Sequence, residues 1–401
     1  MPESQEDPPM TDSLDPAAVW REFCSRIAEA GAAVLDDPAA SGARNQAEGL
    51  RCLSRQLVFA VQDAVEFRDV DFPALHRFDD DVTKWGGPNT DNNYLRCSID
   101  PAGLYRLTAD VTGCRDAILS LYEGDMQLGR YGVFSECALR ELSVEDGRLE
   151  VMISPDRPAG AANWMATNPE ARYLGIRVYV CDWTTDAVPD FYIERLDRAG
   201  DRPERLTVDR MAQALDEAAD WVATSVPFWL RFVEGVRQRN GDNVLTPPMQ
   251  AKGGADNIAY GGGFWNLGDD EAWLITFEPP EAFTWSIQTH TWPWFESGDL
   301  AHAQTSINDT QAHTDRDGLV RAVVSHTDPG TPNWIDTEGR PVGMCIYRWI
   351  GASDAPVPEG VVVPLAELRG HLPADHPTVA PDERRSVMAA RRRGVHRRFR
   401  R

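Results

Sequence analysis

The stretch Asp146-Gly147, Ser154, Pro158, Asn163-Trp164 and Gly175-Ile176-Arg177-Val178-Tyr179 returns later in the chain as Asp317-Gly318, Ser325, Pro329, Asn333-Trp334 and Gly343-Met344-Cys345-Ile346-Tyr347. From Asp-Gly to Ser the spacing is the same in both copies. A one-residue gap aligns Asn-Trp, and a slightly larger one aligns Gly-x-x-(Val/Ile)-Tyr. This order implies two copies of one β unit, the product of an internal duplication. Strand patterns fill the first copy. Leu149, Val151 and Ile153 alternate with Glu150 and Met152, Tyr105 to Ala109 alternates, and Ala117 to Tyr122 is a short apolar run. Turn signals recur about every 8–12 residues, as in sandwiches and jelly rolls. The predicted fold class is mainly β with flanking helices (α+β), with two related jelly-roll or β-sandwich-like units.

Working outward, residues 1–14 read as a disordered extension, 15–93 as N-terminal helices and a connector, and 94–205 as the first β unit. Residues 206–257 read as linking helices, 258–353 as the second β unit, and 354–401 as a connector and an Arg-rich C-terminal helix. Asp15-Pro16 is an N-cap followed by proline at the first helical position. Val19, Trp20, Phe23 and Ile27 share a face of the helix that follows. Leu50, Leu53, Leu57, Val58, Val61 and Val65 mark a second helix over about 46–67. Thr207 caps a third, which Pro227 is expected to break or kink. Pro247-Pro248, Gly253-Gly254 and Gly261-Gly262-Gly263 read as loops.

With 42% hydrophobic and 26% charged residues, the 401-residue chain has the balance of a soluble globular protein. No apolar run approaches the ~20 residues of a membrane helix. The acidic, Pro-rich start lacks the basic flank and apolar stretch of a secretory signal. A cytoplasmic protein that binds no membrane is expected. The net charge of −23 argues against nucleic acid as a partner. Residues 381–401 run the other way, with nine arginines against Asp382 and Glu383. That helix is expected to dock on the acidic body or on a neighbouring subunit, which would make a homo-oligomer. Lys84 and Lys252 are the only lysines, and the wealth of Ala and Arg suggests a GC-rich bacterial genome. The seven cysteines contain no CxxC pair and read as free thiols.

Four blocks carry a family resemblance. They are Gly86-Gly-Pro-Asn-Thr-Asp91-Asn-Asn-Tyr94 with Tyr105-Arg-Leu; Ser306-Ile-Asn308-Asp309-Thr-Gln311; Asp328-Pro-Gly330-Thr-Pro-Asn333-Trp334 through Gly339 to Tyr347-Arg348-Trp349; and the arginines from Arg384 to Phe399. Together they resemble the bacterial domain of unknown function 1214 family over most of residues 47–400. The resemblance implies a jelly-roll-like β protein and carries over no catalytic residue.

Chemistry-bearing residues gather late in the chain. His290, His302, His313 and His326 lie near Glu296, Asp299, Asp309 and Asp315. These are donors for zinc, iron or manganese. Their spacing matches no metal motif, so no metal is assigned and the motifs imply no cofactor; a His/carboxylate metal site, and with it a metal-assisted enzyme, stays open as a third reading. Alternation puts Ser286, Gln288, His290 and Trp292 on one strand face, with Trp294 beyond Pro293. In the enzyme reading His290 is the general acid/base and Glu296 or Asp309 its carboxylate partner. Gln288, Trp292 and Trp294 then wall the substrate pocket and Arg348 clamps an anionic group. Trp265, Trp273 and Trp285 read as core, and the repeated Asn-Trp as a structural turn. There is no Walker A loop, no GxGxxG between strand and helix, and no GxSxG elbow. The leading expectation is a hydrolase- or lyase-type enzyme on a small sugar- or lipid-derived substrate. The alternative is a non-catalytic protein that binds a small-molecule ligand or assembles with itself.

Overall fold

The computed structural model describes residues 14–250 and 257–399. Most of the expected N-terminal extension, Lys252, the Gly253-Gly254 loop and the last two arginines lie outside them. The chain opens with α1 (Pro16–Leu35) and α2 (Ala43–Glu66). The Asp15 carboxylate accepts the Ala17 N–H and caps α1. Strands β1 (His76–Arg77), β2 (Asn92–Ser98), β3 (Tyr105–Asp110), β4 (Asp116–Tyr122) and β5 (Val133–Ala138) follow. Then come β6 (Val144–Glu145), β7 (Arg148–Ser154), β8 (Trp164–Ala166), β9 (Tyr173–Tyr179) and β10 (Phe191–Arg195). Helix α3 (Val208–Asn240) leads to β11 (Met249–Gln250), β12 (Ile258–Asn266), β13 (Glu271–Phe277), β14 (Thr284–Thr291) and β15 (Ser306–Asn308). The chain closes with β16 (Val320–Ser325), β17 (Trp334–Asp336), β18 (Val342–Ile350), β19 (Glu359–Pro364) and α4 (Pro381–Phe399).

The fold is mainly β with flanking helices, in two sandwiches of open sheets. In the first, the sheet β1-β2-β9-β4-β5 faces β10-β3-β7-β6, with β8 parallel to β7. In the second, β11-β12-β18-β14-β15 faces β17-β16-β13-β19. The two orders correspond strand for strand, apart from the short β6. The first core packs Leu119 and Ile176 against Leu107, Val151 and Ile153. The second packs Trp285, Tyr347 and Trp349 against Trp273, Ile275 and Val324.

The repeated Asn-Trp does the same work twice. Asn163 accepts the Ser143 N–H and donates to the Ser143 carbonyl, both at 2.8 Å. Asn333 does likewise with His313, both at 2.7 Å. The indoles of Trp164 and Trp334 donate to the carbonyls of Ser154 and Ser325. One amide thus stands in for a missing rung between a loop and the strand after it.

Several local expectations differ from what folds. Helix α3 runs unbroken through Pro227, because Val226, Trp229 and Leu230 pack both halves onto one body. Leu50 and Val58 are exposed, and α2 instead buries Cys52, Gln56, Phe59 and Asp63. The polar pair is matched to partners: Gln56 accepts the Trp221 indole N–H, and Asp63 grips the Arg96 guanidinium at 2.8 and 3.0 Å. Gly261, Gly262 and Gly263 are not a loop but the middle of β12. A Cβ at Gly261 would meet the Tyr347 ring, and one at Gly263 the Val244 carbonyl.

Helix α4 docks on its own body, through arginines seven residues apart and so on one face. Arg384 pairs with Asp328 at 2.9 Å and lies over the Trp334 ring. Arg391 donates to the carbonyls of Leu300 and Ser306. Arg391 and Arg398 lie over the Trp183 indole at 4.2 and 4.3 Å. Trp183 belongs to the first sandwich core and Ser306 to the second sandwich, so the helix spans their seam.

Replacing Asn333 with Ala removes two hydrogen bonds and strands two backbone groups. The expected loss is about 2–4 kcal/mol, read by urea denaturation, with a similar loss for Asn163→Ala. A loss under half a kcal/mol, about the scatter of surface substitutions, would show that the amide bridge is dispensable.

Candidate functional site

The inner sheets of the two sandwiches turn their outer faces toward each other. On β9, Leu174, Ile176 and Val178 enter the core, so Tyr173, Gly175, Arg177 and Tyr179 face outward. On β18, Cys345, Tyr347 and Trp349 enter the core, so Met344, Ile346 and Arg348 face outward. The sheets touch through Ile118, Tyr179, Ile258 and Ile350. Away from that contact they part around a cavity of about 1140 Å³. Helix α3 closes one side with Phe228, Trp229, Phe232 and Val236, and the 85–89 segment closes another. Phe232 and Met249 line the cavity yet are exposed, which places its mouth between α3 and the 246–250 segment.

Strand register explains how two arginines reach this space. Tyr94 pairs with Arg177 across β2 and β9, two rungs in from Asn92 and Tyr179. Tyr260 pairs with Arg348 across β12 and β18, two rungs in from Ile258 and Ile350. Each sandwich thus presents a Tyr–Arg rung at the same place. Matching Gly and Tyr in the sequence sets Arg177 against Cys345. The sheets set it against Arg348 instead, at the same offset as the Asp-Gly and Ser matches.

The walls are largely aromatic and aliphatic, and the polar groups are few. Arg177 lies over the Tyr122 ring and Arg348 over the Tyr260 ring. Arg348 Nη2 donates to the Gly87 carbonyl at 2.7 Å. Its Nη1, together with Arg177 Nη1, Asn89 Nδ2 and Trp229 Nε1, is a buried donor without a partner, and Asn92 Oδ1 is an unpaired acceptor. Each such group costs about 1–3 kcal/mol. Burial pushes the Tyr94 phenol up to about 12, against the pull of Arg348 and Arg177, so it stays protonated at neutral pH. Asp79 is the only carboxylate among the described lining residues. Burial raises it well above the usual carboxylate range, although its oxygen accepts the Trp85 N–H.

Of the residues singled out from the sequence, only Arg348 lines the cavity. Gln288 accepts the Thr90 N–H at 3.0 Å and donates to the Pro88 carbonyl at 2.8 Å. That orients its amide, whose nitrogen faces His290 Nε2 at 2.9 Å, so Nε2 must accept. Burial, reinforced by Arg348, holds the His290 imidazole neutral, well below its usual range. Glu296 is buried and paired with Arg55 of α2 at 2.9 Å. Asp309 contacts the Thr284 hydroxyl and pairs with Arg115. Thr284 is six residues from His290 along β14, which sets Asp309 about 20 Å away. No described hydrogen bond joins His290 to either carboxylate. Trp292 donates to Glu234 of α3, and Trp294 is buried among α1, α2 and α3 side chains. Both fasten helices to the second sandwich.

One other cluster holds metal-type donors among the described residues. His313, Asp315 and His376 bring ligand atoms within 4.8 Å of one another. Asp315 Oδ1 lies 2.8 Å from His376 Nδ1 and 3.3 Å from His313 Nε2, and Oδ2 pairs with Arg321 at 2.8 Å. These three could hold a divalent ion. As folded, they tie the connector before α4 to the second sandwich, away from the cavity.

Sequence reading passed over Arg177, Tyr94, Tyr260, Asn89 and Trp229. A usable signal existed in Leu174-Gly-Ile-Arg177-Val: an arginine on the non-core face of an otherwise apolar strand, matched by Ile346-Tyr-Arg348-Trp.

The architecture is that of a double β-sandwich with a cavity at the sandwich–sandwich interface. A family described as "Protein of unknown function (DUF1214)" matches residues 122–182, the segment that carries Tyr122, Tyr173 and Arg177. The crystal structure of an uncharacterized protein from Burkholderia cenocepacia is similar at 30% identity and a TM-score of 0.80, covering 87% of this chain and 97% of that one. The VPA0106 protein from Vibrio parahaemolyticus shares 13% identity with a TM-score of 0.47, over 78% of this chain and 96% of that one. No curated protein matches. The chain belongs to the domain of unknown function 1214 family.

The neutral, buried His290 sets a pH dependence. Its folded pKa lies well below 6.5, so below pH 6.5 the unfolded chain binds a proton that the folded chain refuses. Stability therefore falls by about 1.4 kcal/mol per pH unit from this residue as pH drops. His290→Asn should remove that component. Urea denaturation at pH 7 and pH 5 checks it: equal slopes in both proteins would mean that His290 titrates normally.

Proposed function

We propose that this chain is a small-molecule-binding protein and that the cavity between its sandwiches is the ligand site. What carries the reading is a preformed cavity of about 1140 Å³ with apolar walls and a few converging polar groups. Organic ligands occupy such sites, typically of about 300–1,000 Å³. The apolar walls favour a lipid-derived ligand over a sugar, whose hydroxyls would need more partners than the walls offer. The hydrolase or lyase reading has no comparable support, because His290, Glu296 and Asp309 point to different partners and none of them lines the cavity. The site is internal to one chain and needs no second copy.

Ile346 stands in the middle of the cavity face of β18, so Ile346→Trp should fill the space its ligand needs. A neutral apolar dye such as Nile red should bind the wild-type protein. At a hundred times Kd it should add about 2.7 kcal/mol of stability. The variant, with an unchanged circular dichroism spectrum, should bind at least about tenfold more weakly, a difference of about 1.4 kcal/mol. Equal dye binding by both proteins would place the site elsewhere.

A further inference from the structure

We propose that the cavity selects an amphipathic organic monoanion: a carboxylate head held between Arg177 and Arg348, on a long apolar body laid along β18. This rests on the cavity being the ligand site and adds the class of ligand.

The charge inside runs against the charge of the whole. The chain carries −23, yet the described lining contains five arginines and one carboxylate. Arg96 is neutralised by Asp63 and Asp125. Elsewhere in the fold a buried guanidinium such as Arg340 meets two carboxylates, Glu48 and Glu338. Arg177 and Arg348 have no carboxylate partner among the described ion pairs. Each is instead stacked on a tyrosine, which fixes its plane and leaves an edge free. A planar guanidinium edge is the match for a carboxylate.

Hydrogen bonding points the same way. Three of the unpaired polar atoms that line this end are donors: Arg177 Nη1, Arg348 Nη1 and Asn89 Nδ2. A ligand head rich in acceptors can satisfy all three at once. Each arginine stands two rungs in from the contact that Tyr179 and Ile350 make between the sheets, so both cations lie at the same end of the cavity. A single charged head can meet them together.

The rest of the cavity has the opposite character. Trp229, Phe264, Phe295 and Met344 form one apolar cluster with Ile346 at its edge. Along the outward face of β18 the order is Met344, Ile346, Arg348, and on β12 it is Phe264, Gly262, Tyr260. Both strands pass from apolar to polar in the same direction over about 13 Å. Gly262 puts no side chain on that face between Phe264 and Tyr260, so the stretch opposite Ile346 stays clear. The gradient fits a molecule with one charged end and one long apolar end.

The test uses the full chain with cis-parinaric acid and its methyl ester, which differ only in the head. Fluorescence titration at pH 7.5 should show the acid binding at least about tenfold tighter than the ester. Arg177→Met and Arg348→Met should each bring the acid toward the affinity of the ester and leave the ester unchanged. Equal binding of acid and ester to the wild-type protein overturns the proposal while leaving the cavity as an apolar ligand site. Arginine variants that weaken acid and ester alike overturn it too, because the arginines would then be structural. If neither probe binds, the ligand-site reading fails together with it. The wild-type comparison decides the matter even if a variant does not fold.

Discussion

Residues 84–94 hold the molecule together, mainly through polar contacts beside the packing of the Trp85 ring. Lys84 donates to the carbonyls of Ser297 and Gly298, and Trp85 reaches Ser225 of α3. Gly87, Pro88 and Thr90 bond Arg348 and Gln288 of the second sandwich. Asp91 accepts from Trp183 and Asn308, one from each sandwich, and Asn93 and Thr90 bind the end of α4. Residues 84–91, which precede β2 and belong to no strand or helix, must satisfy their backbone groups somewhere. Here the partners come from both sandwiches, α3 and α4, so their relative positions are coupled through one stretch of chain. Gly87 sits at φ +67 with its Cα against the Phe295 ring, a place no side chain could occupy.

The cavity follows from that constraint. The segment occupies part of the gap between the inner sheets and props them apart, α3 covers the opening on one side, and what remains is walled by the faces that neither sandwich core uses. Its chemistry follows from register. A sheet residue turns its side chain to the cavity where it lies on the non-core phase of β2, β4, β9, β12 or β18. In both sandwiches that phase carries a tyrosine opposite an arginine. An acidic protein thereby encloses a cationic interior. The cost of burying the two guanidiniums is reduced by stacking on tyrosine, and for Arg348 by one carbonyl.

The sequence was readable wherever the physics is local. Asp15 announces α1 because its side chain must cap a free N–H. The alternation of Leu149 to Ile153 is that of a strand with one face in a core. The recurring Asn-Trp pairs serve the same backbone bridge in both sandwiches. Reading failed where a side chain's surroundings come from distant chain. Gln288, His290 and Trp292 share a polar strand face, and such a face suggests a pocket. The 84–94 segment arrives some two hundred residues earlier in the chain and covers that face. Trp294 reads as a pocket wall for the same reason, but it is buried by α1, α2 and α3.

Composition, alternation and the repeated motif are properties of nearest neighbours along the chain. They were enough to imply a β-rich protein with two like units, helices at its ends and free thiols. Which arginine lies opposite which, and whether a polar face meets solvent, a loop or a ligand, depends on how two sheets pair and how far apart they are held. Those distances are set by contacts between residues far apart in sequence, such as Arg348 with Gly87 and Arg391 with Trp183. They come into being only when the whole chain has packed.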